Sequence, residues 1–463
     1  MTRRRHTSMK QLIGAAVAAI CAGAAFAKDV DVRDFGAKGD GKTKDTAAIQ
    51  KAVDACSAAG GGEVRFAGGK FLTGMFFLKD GVTLRIDADA TILGSPDYAD
   101  YPTNVPLKHL VNEKCPRGRA TALIVADECR NVGIVGRGRI DCNGDSFVEL
   151  ARTREYGYTS NGSQVGEEVP GGLGDNWVNW KYRRKPGNSP PRMVLFAGCA
   201  DVLVEDVAIV NPAGGWGYWV TDCDRVVFDR AKVLANPVIP NNDGFHINCS
   251  RDVTIANCRV VAGDDGIKIR ANSSALRHGR NRATERIVVS NCQIQSHAGS
   301  LSFCWLGDGV IRNCTFSNLV FTDSAAGISF SFPKFEKGMT DYGYEETLVE
   351  NLSFDNIVLD RIYATPIAIG VSDDPMARFK GFRNVSFSNI RARALGFPSL
   401  RGRKSNPLEN VVFSNCSFTK CAPESFPEKY QQKGAAYWFD PSKPQAFTGV
   451  KGVRFDGCTF EEE

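Results

Sequence analysis

Beyond its first few dozen residues the sequence has no apolar run long enough to cross a bilayer, so no membrane span is expected. No glycine-rich loop ends in the Lys-Ser/Thr of a phosphate cradle, which sets nucleotide binding aside. A dominant sign of charge is also lacking. The 57 Lys and Arg stand against 52 Asp and Glu, interspersed, for a net charge of +5. With no basic stripe, nucleic acid is not an expected partner, although a mildly basic surface does not repel an acidic polysaccharide. Cysteine is plentiful, at 15 residues, but zinc-ligand spacings are absent, and no metal or other cofactor is expected. Past one segment near the N-terminus there is no helical periodicity, which argues against βαβ units.

What is present begins with Arg3-Arg4-Arg5 and Lys10, followed by an apolar run from Leu12 to Ala25 and the small-x-small sequence Ala25-Phe26-Ala27. This pattern predicts a secretory signal over residues 1–27 and a secreted or periplasmic product. Residues 28–463 then read as one domain. Removing Cys21 with the signal leaves an even number of cysteines, which permits disulfides in an exported protein. Several of them sit in Asn-Cys pairs: Asn248-Cys249, Asn257-Cys258, Asn291-Cys292, Asn313-Cys314 and Asn415-Cys416. Repetition at one point of a coil predicts stacked, mostly free core thiols beside an asparagine ladder, with a disulfide framework as the alternative.

The mature chain opens with a strand and a glycine-rich turn, Val30 to Gly41. Asp45 or Thr46 can cap the next helix, whose apolar face is Ala48, Ile49, Ala52, Val53 and Cys56, and Gly60-Gly61-Gly62 stops it. Short strands follow at Glu63–Phe66, Phe71–Leu78, Val82–Ile86 and Ile92–Leu93. A loose repeat then emerges, with starts at Asp201-Val-Leu-Val, Arg225-Val-Val-Phe, Asp252-Val-Thr-Ile, Arg286-Ile-Val-Val, Gly309-Val-Ile-Arg, Asn351-Leu-Ser-Phe, Asn384-Val-Ser-Phe, Asn410-Val-Val-Phe and Gly452-Val-Arg-Phe. Intervals of this size belong to solenoids. The predicted fold is all-β: a single parallel β-helix with an N-terminal capping helix over its open end. Two insertions, about 146–191 and 271–284, interrupt the repeat. The first carries Trp177 and Trp180 beside Arg183, Arg184 and Lys185, a mixture that suits sugar stacking and acid recognition or simply pins the loop to the scaffold.

The most informative stretch is Asn241 to Arg270. Asn241-Asn242-Asp243-Gly244 is followed, with Asp264 twenty-one residues after Asp243, by Gly263-Asp264-Asp265-Gly266-Ile267-Lys268-Ile269-Arg270. Either cluster alone is ordinary turn chemistry. One solenoid turn apart, they place three carboxyl groups on one face, as glycoside hydrolysis requires. These motifs, with Ser296-His297-Ala298-Gly299, resemble the polygalacturonase family, glycoside hydrolase family 28, whose motifs are Asn-Thr-Asp, Asp-Asp, Gly-His-Gly and Arg-Ile-Lys. The fourth falls at Gly327-Ile328-Ser329-Phe330-Ser331, where Ser329 and Ser331 stand in place of the basic pair. The resemblance covers most of the mature chain and implies that the β-helix is right-handed.

It also implies roles: Asp264 as general acid, Asp243 and Asp265 as the base that activates water, and His297 as support for the acid. Clustered like charges cannot all ionise cheaply, so one of the three carboxyls is expected to keep its proton near neutral pH. Candidate substrate-binding residues are His246, Trp216, Trp219, Trp177, Ser329, Lys268 and Arg270. Trp216, Tyr218 and Trp219 form either a stacking platform or coil packing. Lys268 and Arg270 alternate with Ile267 and Ile269, so both point outward, onto a cleft or into solvent. The function expected is hydrolysis of an α-linked pectic or related polysaccharide by a monomeric enzyme, with inversion and no metal. Two other readings stay open. One is a β-helix polysaccharide lyase, with calcium on the three aspartates and Lys268 or Arg270 as base. The other is a non-catalytic glycan-binding β-helix.

Overall fold

The computed structural model describes residues 29–463 apart from 104, 106, 111–120, 151–181, 185–190, 213, 238, 240, 273–282, 306, 332–345, 372–377 and 427–446. The predicted signal over residues 1–27, Trp177 and most of both insertions therefore lie outside the described residues. Of the first insertion, Val148–Leu150 and Tyr182–Arg184 form an antiparallel pair.

The chain winds as a right-handed parallel β-helix whose strands fall into two long sheets, one of 24 and one of 11 strands. A typical coil contributes two strands to the larger sheet and one to the smaller. Arg251–Ala256 and Arg259–Ala262 are followed by Ile267–Arg270, for example. The smaller sheet is strictly sequential and carries the candidate site described below. Its strands are β1 (Phe76–Phe77), β2 (Ala122–Asp127), β3 (Arg192–Ala197), β4 (Tyr218–Thr221), β5 (Phe245–Asn248), β6 (Ile267–Arg270), β7 (Gly299–Phe303), β8 (Ala326–Ser331), β9 (Ile367–Gly370), β10 (Ser399–Arg401) and β11 (Phe447–Thr448). No helix among the described residues is long and apolar enough to cross a membrane.

Alternation builds the interior. In Val226-Val227-Phe228, Val226 and Phe228 are fully buried while Val227 faces out. Stacking like residues on successive coils turns the repeat into ladders. Phe316, Phe354, Phe387, Phe413 and Phe455 stack ring on ring, with centroids 4.7–4.8 Å apart, one coil spacing. The predicted repeat holds with one correction. Val288 pairs with Thr315, so that coil starts at Asn313-Cys-Thr-Phe and not at Gly309. Cys314 occupies the inward position that valine, isoleucine or leucine holds elsewhere, which hid the match.

The asparagine ladder is real but is not one ladder. Asn291 donates to Asn257, Asn318 to Asn291 and Asn356 to Asn318 at one corner. Asn351, Asn384 and Asn410 continue from Asn313 at another. All of these residues are left-handed, with φ between 49° and 58°, which asparagine tolerates better than most residues. Asn248 belongs to neither ladder. Its amide instead joins Thr221 Oγ1 and the Asn272 carbonyl at the end of β5. The cysteines of the described residues are free thiols, all buried except the half-buried Cys458.

The helix α1, Thr46–Ala58, covers the first coil with Ile49, Ala52, Val53 and Cys56 fully buried. Asp45 stands at its N-cap position but makes no capping bond. Its carboxylate accepts instead from the backbone N–H groups of Lys38 (2.7 Å) and Gly39 (2.9 Å), fixing the glycine-rich turn. The predicted strand Phe71–Leu78 is broken at Gly74, whose N–H turns to Thr46 Oγ1 at the start of α1. Gly69–Thr73 and β1 result.

Candidate active site

The two aspartate clusters sit in the tight bends that enter β5 and β6. Phe245 pairs with Ile267, an offset of 267 − 245 = 22 residues. The coil is thus one residue longer than the interval from Asp243 to Asp264, and Asp265 is the residue in line with Asp243. The backbone agrees, since Gly244 N–H donates to the Asp265 carbonyl at 2.9 Å. Each bend requires a glycine for space. A Cβ on Gly244 would run into the Gly266 carbonyl, and one on Gly266 would meet Ile294 and lie 2.7 Å from the Ser300 carbonyl oxygen. Rigid bends on neighbouring coils therefore hold the carboxyl groups together.

Their surroundings differ. Asp265 is buried; its Oδ2 lies 2.9 Å from Lys268 Nζ and its Oδ1 accepts from Ser302 Oγ at 2.5 Å. Asp264 is half-buried. It accepts from Asn241 Nδ2 at 3.0 Å and from the Asp265 N–H at 3.0 Å. Loss of hydration and the charge of Asp265 outweigh these bonds and the nearby Lys268, and push its carboxyl up to about 7. Asp243 is buried, with Oδ2 3.2 Å from His246 Nδ1. Desolvation first, then Asp264 and Asp265, drive its carboxyl well above the ordinary range. His246 moves the opposite way. Burial, with Arg270, Lys268 and Arg192 nearby, favours the neutral imidazole.

One outward-facing row crosses the smaller sheet in register: Trp219, His246, Lys268, Ser302, Ser329 and Ala368. Lys268 points outward as the alternation requires, but it is not solvated. It is 4% exposed, ion-paired to Asp265, and its ammonium lies 5.3 Å from the ring centroid of Trp305. Ser329 shares a 3.0 Å hydrogen bond with Ser302, which extends the polar chain from Asp265 to β8. Trp216 stacks on His246 at 3.7 Å and meets Trp219 edge-on. Tyr218, by contrast, is fully buried against Phe245 and belongs to the core.

Arg270 lies on the next row out and is engaged. Its Nε is 2.8 Å from Asp308 Oδ1, and Asp308 also accepts from the N–H groups of Ala271 and Trp305. His297 is buried on the following coil, where its N–H donates to the Ala262 carbonyl. Beside it, Ser296 Oγ donates to the Asp264 carbonyl and accepts from the Ala298 N–H.

Five contributors were not singled out from sequence. Arg192 stacks on Trp216 and Trp219 with its guanidinium 4.3 and 4.4 Å from their ring centroids. Asn241 holds Asp264, Ser302 holds Asp265, Trp305 flanks Lys268 and Asp308 fixes Arg270. Asn241 precedes Asp243 in the first motif, which was a usable signal. The other four lie on neighbouring coils whose register no local pattern announces.

A cluster of carboxyl groups on one sheet of a parallel β-helix, with Asp264 pushed up to about 7, is equipment suited to a glycosidase. Comparison with known proteins agrees. The model of Glycosyl hydrolases family 28 matches residues 73–426, and the chain belongs to that family. A second model, described as Rhamnogalacturonase A/epimerase, pectate lyase-like, matches residues 30–98. The chain is 26% identical to an exo-poly-alpha-D-galacturonosidase of Dickeya chrysanthemi, covering 94% of this chain and 75% of the relative. It is 23% identical to an endo-polygalacturonase of Pectobacterium carotovorum subsp. carotovorum, covering 82% and 86%. Among solved structures, the family 28 exopolygalacturonase of Yersinia enterocolitica superposes with a TM-score of 0.65 at 19% identity, covering 94% of this chain and 75% of the other.

Proposed function

We propose that this polygalacturonase-like glycosidase is an exported enzyme that cleaves α-glycosidic bonds in a pectic polysaccharide with inversion. Asp264 protonates the leaving oxygen, and Asp243 with Asp265 activates water. The observation that carries this reading is the unequal environment of the three carboxyls. Asp264, half-buried and pushed up to about 7, retains a proton to donate near neutral pH; Asp243 is driven upward too, so the base depends on Asp265, which the Lys268 ammonium holds in line with Asp243. His246, kept neutral beside Asp243, and the Trp216–Trp219 edge offer a sugar-binding wall on the adjoining coil.

The relatives are named for galacturonate polymers, but Ser329 and Ser331 stand where the resemblance implies a basic pair that binds the carboxylate of a second uronate. Ser329 is bonded to Ser302, and Arg270 is committed to Asp308. A charge-assisted contact to a carboxylate contributes about 1.5–3 kcal/mol, so hydroxyls in place of two cations favour a neutral or substituted sugar there. The preferred substrate is therefore rhamnose-containing or decorated pectin over plain polygalacturonate. The lyase reading is weaker, because both candidate bases are already ion-paired, Lys268 with Asp265 and Arg270 with Asp308.

The test is a digest of pectic polysaccharides analysed by mass spectrometry, with NMR of fresh product. Oligosaccharides without unsaturated ends, inverted at the anomeric carbon, are expected. Rapid cleavage of unsubstituted polygalacturonate would overturn the substrate assignment, and a retained configuration would overturn the mechanism. Asp264→Asn should lower turnover by about 10² to 10⁴ with the fold intact. Near-normal turnover in a folded variant would reject the site.

A further inference from the structure

Four coils beyond Asp265, β10 presents two polar groups that no described residue satisfies. Ser399 Oγ and Arg401 Nε are buried atoms without a hydrogen-bond partner among the described residues. Leaving a guanidinium N–H buried without an acceptor is costly, and folding alone supplies no reason to keep it. Leu400 between them is fully buried in the core, so Ser399 and Arg401 face the cleft side of the sheet. The register confirms the side. Ser399 pairs with Ala368 and through it with Ser329; Arg401 pairs with Gly370 and through it with Ser331. Gly370 adds no side chain between Ser331 and Arg401 on the intervening coil.

A second observation is electrostatic. Arg401 is in no ion pair among the described residues, and Arg403 and Lys404 follow it immediately. Cations gathered on one end of a cleft raise the local concentration of an anionic ligand. At roughly 4.8 Å per coil the Arg401 coil lies about 19 Å from that of Asp265, a distance that only an extended chain spans.

We propose that Ser399 and Arg401 form a distal subsite that binds the carboxylate of a uronate in an acidic polysaccharide lying along the cleft. Arg401 donates to the carboxylate and Ser399 to a second oxygen of the same sugar. This rests on the polysaccharide reading above and refines it: the sugar near Ser329 is neutral or substituted, and acidic recognition lies farther along.

The test is calorimetric binding to the Asp264→Asn protein, with and without Arg401→Met. The probes are a long pectic fragment of alternating galacturonate and rhamnose, the same fragment with its carboxyls reduced, and an acidic disaccharide. Arg401→Met should weaken the long acidic fragment by about 10- to 100-fold and leave the reduced fragment and the disaccharide unchanged. Arg401→Lys should recover part of the loss, and matching melting curves exclude misfolding as the cause. Equal affinity with and without Arg401, or no measurable binding of the long fragments, overturns the subsite. An Arg401-dependent affinity in a wild-type protein that hydrolyses nothing would instead leave the subsite standing and sink the hydrolase reading.

Discussion

At the scale of single residues, chemistry is set by what each carboxyl touches. Asp264 favours its proton in the folded protein because it is desolvated beside Asp265. Its folded value, about 7, lies above the ordinary 3.8. Between these two values the folded form holds a proton that the unfolded chain has released, so this group makes stability fall as pH rises from about 4 to about 7. Below that window both states are protonated, and above it both are ionised with the penalty fully present. Asp264→Asn removes the buried charge. The variant should melt a few degrees above wild type at pH 8, on the order of 2–4 °C, with the gap closing towards pH 4. A melting-temperature difference that does not change between pH 4 and 8 would contradict the assignment. Wild-type activity should decline as pH rises through about 7, as the acid loses its proton. Sequence reached the three aspartates because their motifs are contiguous. It could not reach Ser302 or Arg192, whose parts depend on which coil lies next. Nor could alternation show that Lys268 is buried, because its partner Asp265 precedes it across the bend.

At the scale of elements, the bends before β5 and β6 position the chemistry. Removing a glycine's freedom ordinarily stabilises a protein by about 0.4–1 kcal/mol through the unfolded chain. At Gly266 the added Cβ meets Ile294 and the Ser300 carbonyl, and such overpacking costs about 1–3 kcal/mol. The clash wins, because a backbone carbonyl in a ladder cannot move aside. Gly266→Ala should therefore lower the melting temperature, and displacement of the neighbouring Asp264–Asp265 pair should cut turnover by about 10²-fold. Thermal melts and initial rates test both. A variant as stable and active as wild type would show that the bend has room to relax. The glycine was visible in sequence as turn chemistry. Its actual requirement is space against the next coil, which is a tertiary fact. Asp45 gives the same lesson. It was legible as a helix cap, yet two N–H groups of the preceding turn claim its carboxylate.

At the scale of the whole molecule, a solenoid is a stack of coils each held by its neighbours, so its ends are its weak points. The repeat and the capping helix were legible because inward valine, isoleucine and phenylalanine recur at coil intervals. The corner ladders were less so, since Asn-Cys pairs that look equivalent in sequence fall at three different places in the coil. At the N-terminal end, α1 packs on the Val32–Phe35 turn and the first strands, and places Val53 fully buried against them. Val53→Asp removes about 1.5–3 kcal/mol of side-chain burial and adds a buried, unpaired carboxylate costing several more. The helix has no other apolar face with which to dock, so the cap should lift. The first coil, Val30–Asp31 and Asp40–Lys44 on Gly62–Phe66 and Gly69–Thr73, would then present unpaired strand edges to other molecules. Light scattering after size-exclusion chromatography should show Val53→Asp shifted to higher mass than wild type at equal concentration. Val53→Ala, which loses packing without adding charge, should melt lower but keep the wild-type elution. An Asp variant eluting and melting like wild type would mean that the first coil is closed by something other than this helix.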